Sequence, residues 1–140
     1  MTKEVLLTIK GLQFDGVDNA DYTSGYQAEY YERGNKRYVV YDEEMEGFSK
    51  PTKNIIKFNE KEVEVNKKGV VNVQMLFEEN RKNLTNYRTP YGDIVMGIDT
   101  AGIRFLETED RIRVDVEYKL ELNYEHQADC KISLDIRPRN

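Results

Sequence analysis

The chain has 140 residues and carries 26 acidic against 21 basic side chains, a net charge of −5. That length fits one domain over 1–140 with its own core, and the acidic balance argues against nucleic acid or an anionic membrane as partner, since phosphate binding needs a basic excess. The single cysteine, Cys130, excludes an internal disulfide and fits a reducing, cytoplasmic setting. No stretch approaches the ~20 apolar residues of a spanning helix.

Met1 to Lys10 lacks the apolar run of a signal peptide. Lys3 to Phe14 sets Val5, Leu7 and Ile9 on one face and Leu6, Thr8 and Leu12 on the other. It is apolar on both faces near its start, which predicts a covered strand, and Gly11 marks a bulge or bend in it. Asp15 to Asp21 reads as a polar loop. Tyr22–Arg33 and Lys36–Glu44 are strands joined across Gly34-Asn35, a pair that tolerates the positive φ of a tight hairpin turn. Met45 to Pro51 is a loop carrying Phe48. Thr52–Phe58 and Lys61–Asn66 form the next hairpin, with Asn59-Glu60 at its tip, and Lys67-Lys68-Gly69 turns the chain again.

Val71, Val73, Met75 and Phe77 then share one strand face. Lys82–Arg88 and Tyr91–Thr100 follow, with Pro90 and Gly92 in the bend between them, and Ile103–Leu106 is a short strand ended by Glu107 to Asp110. Arg111 to Tyr124 is the strongest signal in the chain. Its even positions are Ile112, Val114, Val116, Tyr118, Leu120, Leu122 and Tyr124, and its odd positions are polar throughout. A period of two held this long is a strand with one buried and one wet face. The chain turns at Glu125-His126-Gln127 and returns through Cys130, Ile132, Leu134 and Ile136. No run has helical spacing. So long a strand cannot lie flat on so small a core, because strands twist and long ones coil. The expectation is an all-β, antiparallel up-and-down barrel of roughly eight to ten strands.

The motif Tyr87-Arg88-Thr89-Pro90-Tyr91-Gly92 and the run Gln74-Met75-Leu76-Phe77-Glu78-Glu79 resemble uncharacterised domain family 1934, the YwiB-like family of small bacterial proteins. Tyr41-Asp42-Glu43-Glu44, Tyr118-Lys119-Leu120 and Ile9-Lys10-Gly11 fit it as well. The resemblance runs over nearly the whole chain and implies a lipocalin-like, calycin-type β-barrel; it implies no activity. Where the family often has Arg-x-Gly, this chain reads Lys67-Lys68-Gly69, and lysine does not reproduce the planar two-pronged grip of arginine.

Candidate sites are sparse. The Tyr87-to-Gly92 stretch is either a turn built by Pro90 and Gly92 or a polar and aromatic lip at a barrel mouth. His126 stands alone in a turn, without the carboxylate and nucleophile that base catalysis needs. Cys130 lies on an apolar phase, as inert buried thiols do. One histidine and one cysteine make no zinc site. The carboxylates Asp42, Glu43, Glu44, Glu46, Glu78 and Glu79 read as a solvated face, and no phosphate loop or nucleophile elbow is present. No catalytic residue and no cofactor is expected.

The leading expectation is a non-enzymatic barrel holding a small-molecule ligand, with Tyr41, Lys67, Tyr87, Thr89, Tyr91 and Tyr118 as candidate binding residues. The alternative is a structural or protein-interaction barrel filled by Phe77, Met75, Phe105 and Tyr118. Strand edges left by incomplete closure would be the route to a homodimer.

Overall fold

The computed structural model describes residues 3–11 and 23–139. Within them the chain runs through ten strands: β1 (Glu4–Lys10), β2 (Thr23–Arg33), β3 (Lys36–Glu43), β4 (Thr52–Phe58), β5 (Glu62–Lys68), β6 (Val73–Glu78), β7 (Arg81–Thr89), β8 (Gly92–Thr108), β9 (Arg111–Leu122) and β10 (Glu125–Pro138). Leu12, Phe14, the Asp15–Asp21 loop and Tyr22 lie outside the described residues.

All ten strands form one antiparallel sheet in the order β6-β5-β4-β3-β2-β1-β10-β9-β8-β7. The first and last strands are neighbours, so β1 and β10 stitch a meander of β2 to β6 onto a meander of β7 to β10. The two edge strands, β6 and β7, are consecutive in the chain, and a single bridge between Asn72 and Arg88 links them. The sheet is a nearly closed barrel, as the alternation predicts. The loops after β3, β5, β7 and β9 leave at one end, here the upper rim; those after β2, β4, β6 and β8 leave at the other.

The interior is made by the apolar phases. In β9, Ile112, Val114, Val116, Tyr118 and Leu120 are buried, while Arg113, Glu117 and Lys119 are exposed. They pair with Ile132, Leu134 and Ile136 of β10. Phe58, Phe77, Met75, Met96 and Ile98 expose 0% of their surface. A side chain that a water-sized sphere cannot touch borders no water-sized void, so the middle of the barrel is solid. Phe77 meets the ring of Tyr118 edge-on at 5.0 Å across this core.

Both halves of the barrel close over the lower end. The β8–β9 hairpin overruns β7, whose first residue, Arg81, faces Thr100. Beyond that point Phe105 packs at 6.2 Å from Phe58, Arg37 lies 4.9 Å over the Phe105 ring, and Arg37 reaches Glu107 at 2.6 Å.

Several details differ from the sequence reading. The two strands expected at Tyr91–Thr100 and Ile103–Leu106 are one strand, β8, with a bulge between Thr100 and Gly102. The bulge moves the inward phase from even positions (Met96, Ile98, Thr100) to odd ones (Ile103, Phe105), and this broke the alternation in the sequence. The last hairpin turns at Asn123 and Tyr124, with φ of 50° and 69°, rather than at Glu125 to Gln127. Two successive positive φ values make the primed turn that suits strand twist. Leu6 is exposed, so β1 has one covered face, not two. Gly11 does mark a bend: its φ is 90°, and a Cβ there would collide with the Lys131 carbonyl oxygen.

Candidate functional site

One rung near the upper rim brings together two of the buried polar side chains, Asn54 and Lys67. Tyr41 of β3 pairs with Asn54 of β4, Asn54 with Lys67 of β5, and Lys67 with Val73 of β6. On the far side of the β6–β7 seam, next to the Asn72–Arg88 bridge, Tyr87 pairs with Ile94. Each residue is there by the period of two. Val39, Tyr41 and Glu43 share the inward phase of β3, Thr52, Asn54, Ile56 and Phe58 that of β4, and Val63, Val65 and Lys67 that of β5.

Lys67 is 7% exposed and Asn54 0%. The Lys67 ammonium donates to Glu43 Oε1 at 2.9 Å and to Asn54 Oδ1 at 2.8 Å. The Asn54 amide in turn donates to the Thr52 carbonyl at 3.1 Å and to Glu43 Oε1 at 3.4 Å. A charge taken this far from water survives only with a partner and hydrogen bonds, and Lys67 has both. The β5–β6 turn holds the base of this network. Thr52 Oγ1 accepts the Val70 N–H at 3.1 Å, and Gly69, with φ of 152°, passes so near that a Cβ would lie 2.8 Å from Thr52 Cα. Only glycine lets that turn sit against Thr52.

The electrostatics leave donors over. Burial first, then the charge of Glu43 and the Tyr26 hydroxyl, raise the Tyr41 pKa far above the ordinary phenol value, so the hydroxyl keeps its proton. The Tyr41 ring packs 4.4 Å from that of Tyr26. Neither the Tyr41 hydroxyl nor the third N–H of Lys67 has a hydrogen-bond partner among the described residues. Across the rim stand Ile94 and Leu122, half-buried, with Met96 below them.

Of the six candidates from sequence, the structure brings Tyr41, Lys67 and Tyr87 onto this one rung. Lys67 belongs to strand β5, not to the turn expected at 67–69. Thr89 holds the β7–β8 turn: its hydroxyl donates to the Gly92 carbonyl at 2.8 Å and accepts the Tyr91 N–H at 3.1 Å. Tyr91 is 93% exposed at the tip of that turn. Tyr118 sits lower, sealed in the core on a rung with Thr100 and Cys130, where burial and the thiol keep its hydroxyl protonated. His126 is an exposed neighbour of Asp129 at 3.1 Å on the β9–β10 hairpin.

The sequence reading missed Glu43, Asn54 and Thr52. Glu43 was assigned to a solvated carboxylate run, yet the phase of Val39 and Tyr41 turns it inward. The same count from Ile56 places Asn54 and Thr52 inside. Among the described residues no group of three His, Cys, Asp or Glu side chains could hold a metal ion.

The family described as "Domain of unknown function (DUF1934)" matches residues 7–134. No curated protein matches the chain. Among solved structures, the chain is similar to the YwiB protein from Bacillus subtilis, with a TM-score of 0.76 and 20% identity over 99% of this chain and 93% of that one. At that identity the likeness is one of fold.

Proposed function

We propose that this chain, a member of the DUF1934 family, is a non-enzymatic binding protein that takes a small ligand at the upper rim of its barrel rather than in a central lumen. The observation that carries the reading is Lys67. An ammonium in the inward phase of a strand, held by Glu43 and Asn54 with one N–H left over, has no packing purpose that a valine would not serve better. Buried polar groups are the informative exception to the rule that apolar residues fill cores. Its neighbours on the rung are two tyrosines, whose rings offer apolar area together with a hydroxyl. The reading is one of binding, not turnover, because the cation and the carboxylate are engaged with each other and, among the described residues, the hydroxyl in the network, Thr52, is held by the Val70 N–H.

The test is thermal unfolding of the protein against a panel of small metabolites, with Lys67→Met in parallel. A ligand present at 100 times its dissociation constant adds about 2.7 kcal/mol to stability. The expected result is a rise in Tm for at least one compound that Lys67→Met abolishes. A panel-wide absence of any shift removes the proposal.

A second reading has its own observation. The solid mid-section is what a structural or protein-interaction barrel would have. Under it Lys67, Glu43 and Asn54 only fix strand register, and binding would occur on the outer wall. A Tm shift that survives Lys67→Met favours this reading.

A further inference from the structure

We infer that the rim ligand is an uncharged amphipathic molecule whose head is a hydrogen-bond acceptor, such as an amide or ester carbonyl, and whose body is apolar. The inference rests on the rim being a binding site and specifies what it selects. Lys67 alone would suggest an anion. Its charge is already balanced by Glu43 at 2.9 Å, so an incoming carboxylate or phosphate would add an uncompensated negative charge beside Glu43 in a poorly hydrated place. Asp42, Glu44 and Glu46 flank Glu43 in the chain, with Lys53 facing Asp42 across the β3–β4 ladder, so among the described residues the outer wall supplies no spare cation pointed at the rung.

What the rung lacks is an acceptor. Among the described residues Lys67 has an unmatched N–H, and Tyr41 an unmatched O–H whose proton burial retains. Both residues are more than nine-tenths buried. A donor in so poorly hydrated a place gains more from a fixed acceptor than one in open water does. A cationic head is excluded on the same ground, because it brings only donors to a site that already has too many. The two residues stand two strands apart with Asn54 between them, a span of about 10 Å between backbones, so each donor is available to a separate acceptor atom of the same bound molecule. The half-buried Ile94 and Leu122 then supply an apolar wall for the rest of the molecule.

Decanamide, decanoate and decylammonium share one tail and differ in the head alone. Each is titrated into the protein below its micelle-forming concentration and followed by calorimetry and by amide chemical shifts. Decanamide is expected to bind about tenfold or more tightly than either charged homologue, with shifts confined to the Tyr41–Asn54–Lys67 rung and the β7–β8 strands. Lys67→Met and Tyr41→Phe should each weaken decanamide severalfold; the second removes one oxygen and keeps the ring, so its fold is safe. Tighter binding of decanoate with the same shifts overturns the inferred head group and leaves the rim site standing. Tighter binding of decylammonium also overturns it. No binding of any of the three, or binding with shifts elsewhere, overturns the rim site as well.

Discussion

Glu43 and Lys67 meet at 2.9 Å inside the upper rim, but water reaches them unequally: the side chain of Glu43 is 23% exposed and that of Lys67 7%. Their removal should therefore have unequal consequences. Glu43→Gln removes the counter-charge and leaves the ammonium in the barrel wall with only neutral amide oxygens, the new one and that of Asn54, and breaking a buried pair in this way is destabilising by about 3 kcal/mol or more. Lys67→Met replaces the cation with an apolar chain of similar reach and leaves Glu43 able to turn to solvent, so stability should stay within about 1 kcal/mol of the parent. Urea unfolding of both variants compares the two. Equal losses would mean that the pair is uniformly solvated and that the rim is not the low-dielectric site described above.

A second prediction concerns pH. Burial pulls the Asp135 carboxyl up, but hydrogen bonds from Arg111 and Arg137 outweigh it and hold the group below its usual range. Burial likewise raises Glu64, while Asn66, Gln74 and Lys57 bring it down on balance. A carboxyl depressed in the folded state stabilises above its unfolded value, about 3.9 for Asp and 4.3 for Glu, and the contribution is lost as pH falls through the folded value. At the other end, burial and the nearby Glu32 push Tyr30 up to about 12, against the opposing Arg37. Its contribution is intact below the unfolded phenol value of about 10 and disappears as pH rises from there through 12. Stability should thus be level from about pH 5 to 9 and fall on both sides. Asp135→Asn should flatten the acid limb and Tyr30→Phe the alkaline one, read as the midpoint of urea unfolding against pH. Tyr41 and Tyr118, also raised, keep part of that fall, so the Tyr30→Phe limb should be shallower rather than absent, and one as steep as the parent's would take Tyr30 out of the alkaline transition.

The fold was legible where side-chain type and strand phase agree. From Arg111 to Leu122 every buried position is apolar or tyrosine and every exposed one is polar, so the wall, its burial and its curvature follow from period two alone. β8 was illegible at Ala101 because a bulge changes phase without changing residue type, and the strand looks like two. The rim was illegible for a different reason: Glu43, Asn54 and Thr52 are polar residues in an inward phase, so residue type and strand phase point to opposite faces. Nor could the sequence separate Tyr41 at the rim from Tyr118, sealed against Phe77 with its hydroxyl also unpaired; both are tyrosines in apolar phases, and only the rung distinguishes them.

A third prediction tests the solid mid-section. Phe77 has no accessible surface and touches Tyr118 from across the barrel. Phe77→Ala removes most of a ring from a place where the surrounding strands are tied to their own ladders and collapse poorly, so the loss should be about 3–5 kcal/mol. Chemical denaturation measures it. A loss below about 1 kcal/mol would indicate a hollow or fluid interior, and with it the central lumen that the core packing excludes.

The seam between β6 and β7 gives the fourth. These strands are joined by a tight turn and by the Asn72–Arg88 bridge, in which each N–H donates to the other's carbonyl at 2.9 Å. Counting inward from that bridge by twos, the backbone groups of Gln74 and Leu76 point at β7, and those of Leu84 and Asn86 point at β6. No ladder joins them. The Asn83 side chain instead donates to the Leu76 carbonyl at 3.1 Å, standing in for a strand neighbour. The amides of Gln74, Leu76, Leu84 and Asn86 should therefore exchange with deuterium orders of magnitude faster than those of Val73, Met75, Phe77 and Tyr87, which bond to β5 or β8. Asn83→Ala should widen that difference by freeing the Leu76 carbonyl and letting the hairpin splay further. If ligand binding at the rim bridges Lys67 and Tyr87 across this seam, saturating decanamide should slow exchange at Asn86 first, since it adjoins Tyr87. Uniform protection along both strands in the unliganded protein would mean that the ladder closes in solution and the barrel has no seam.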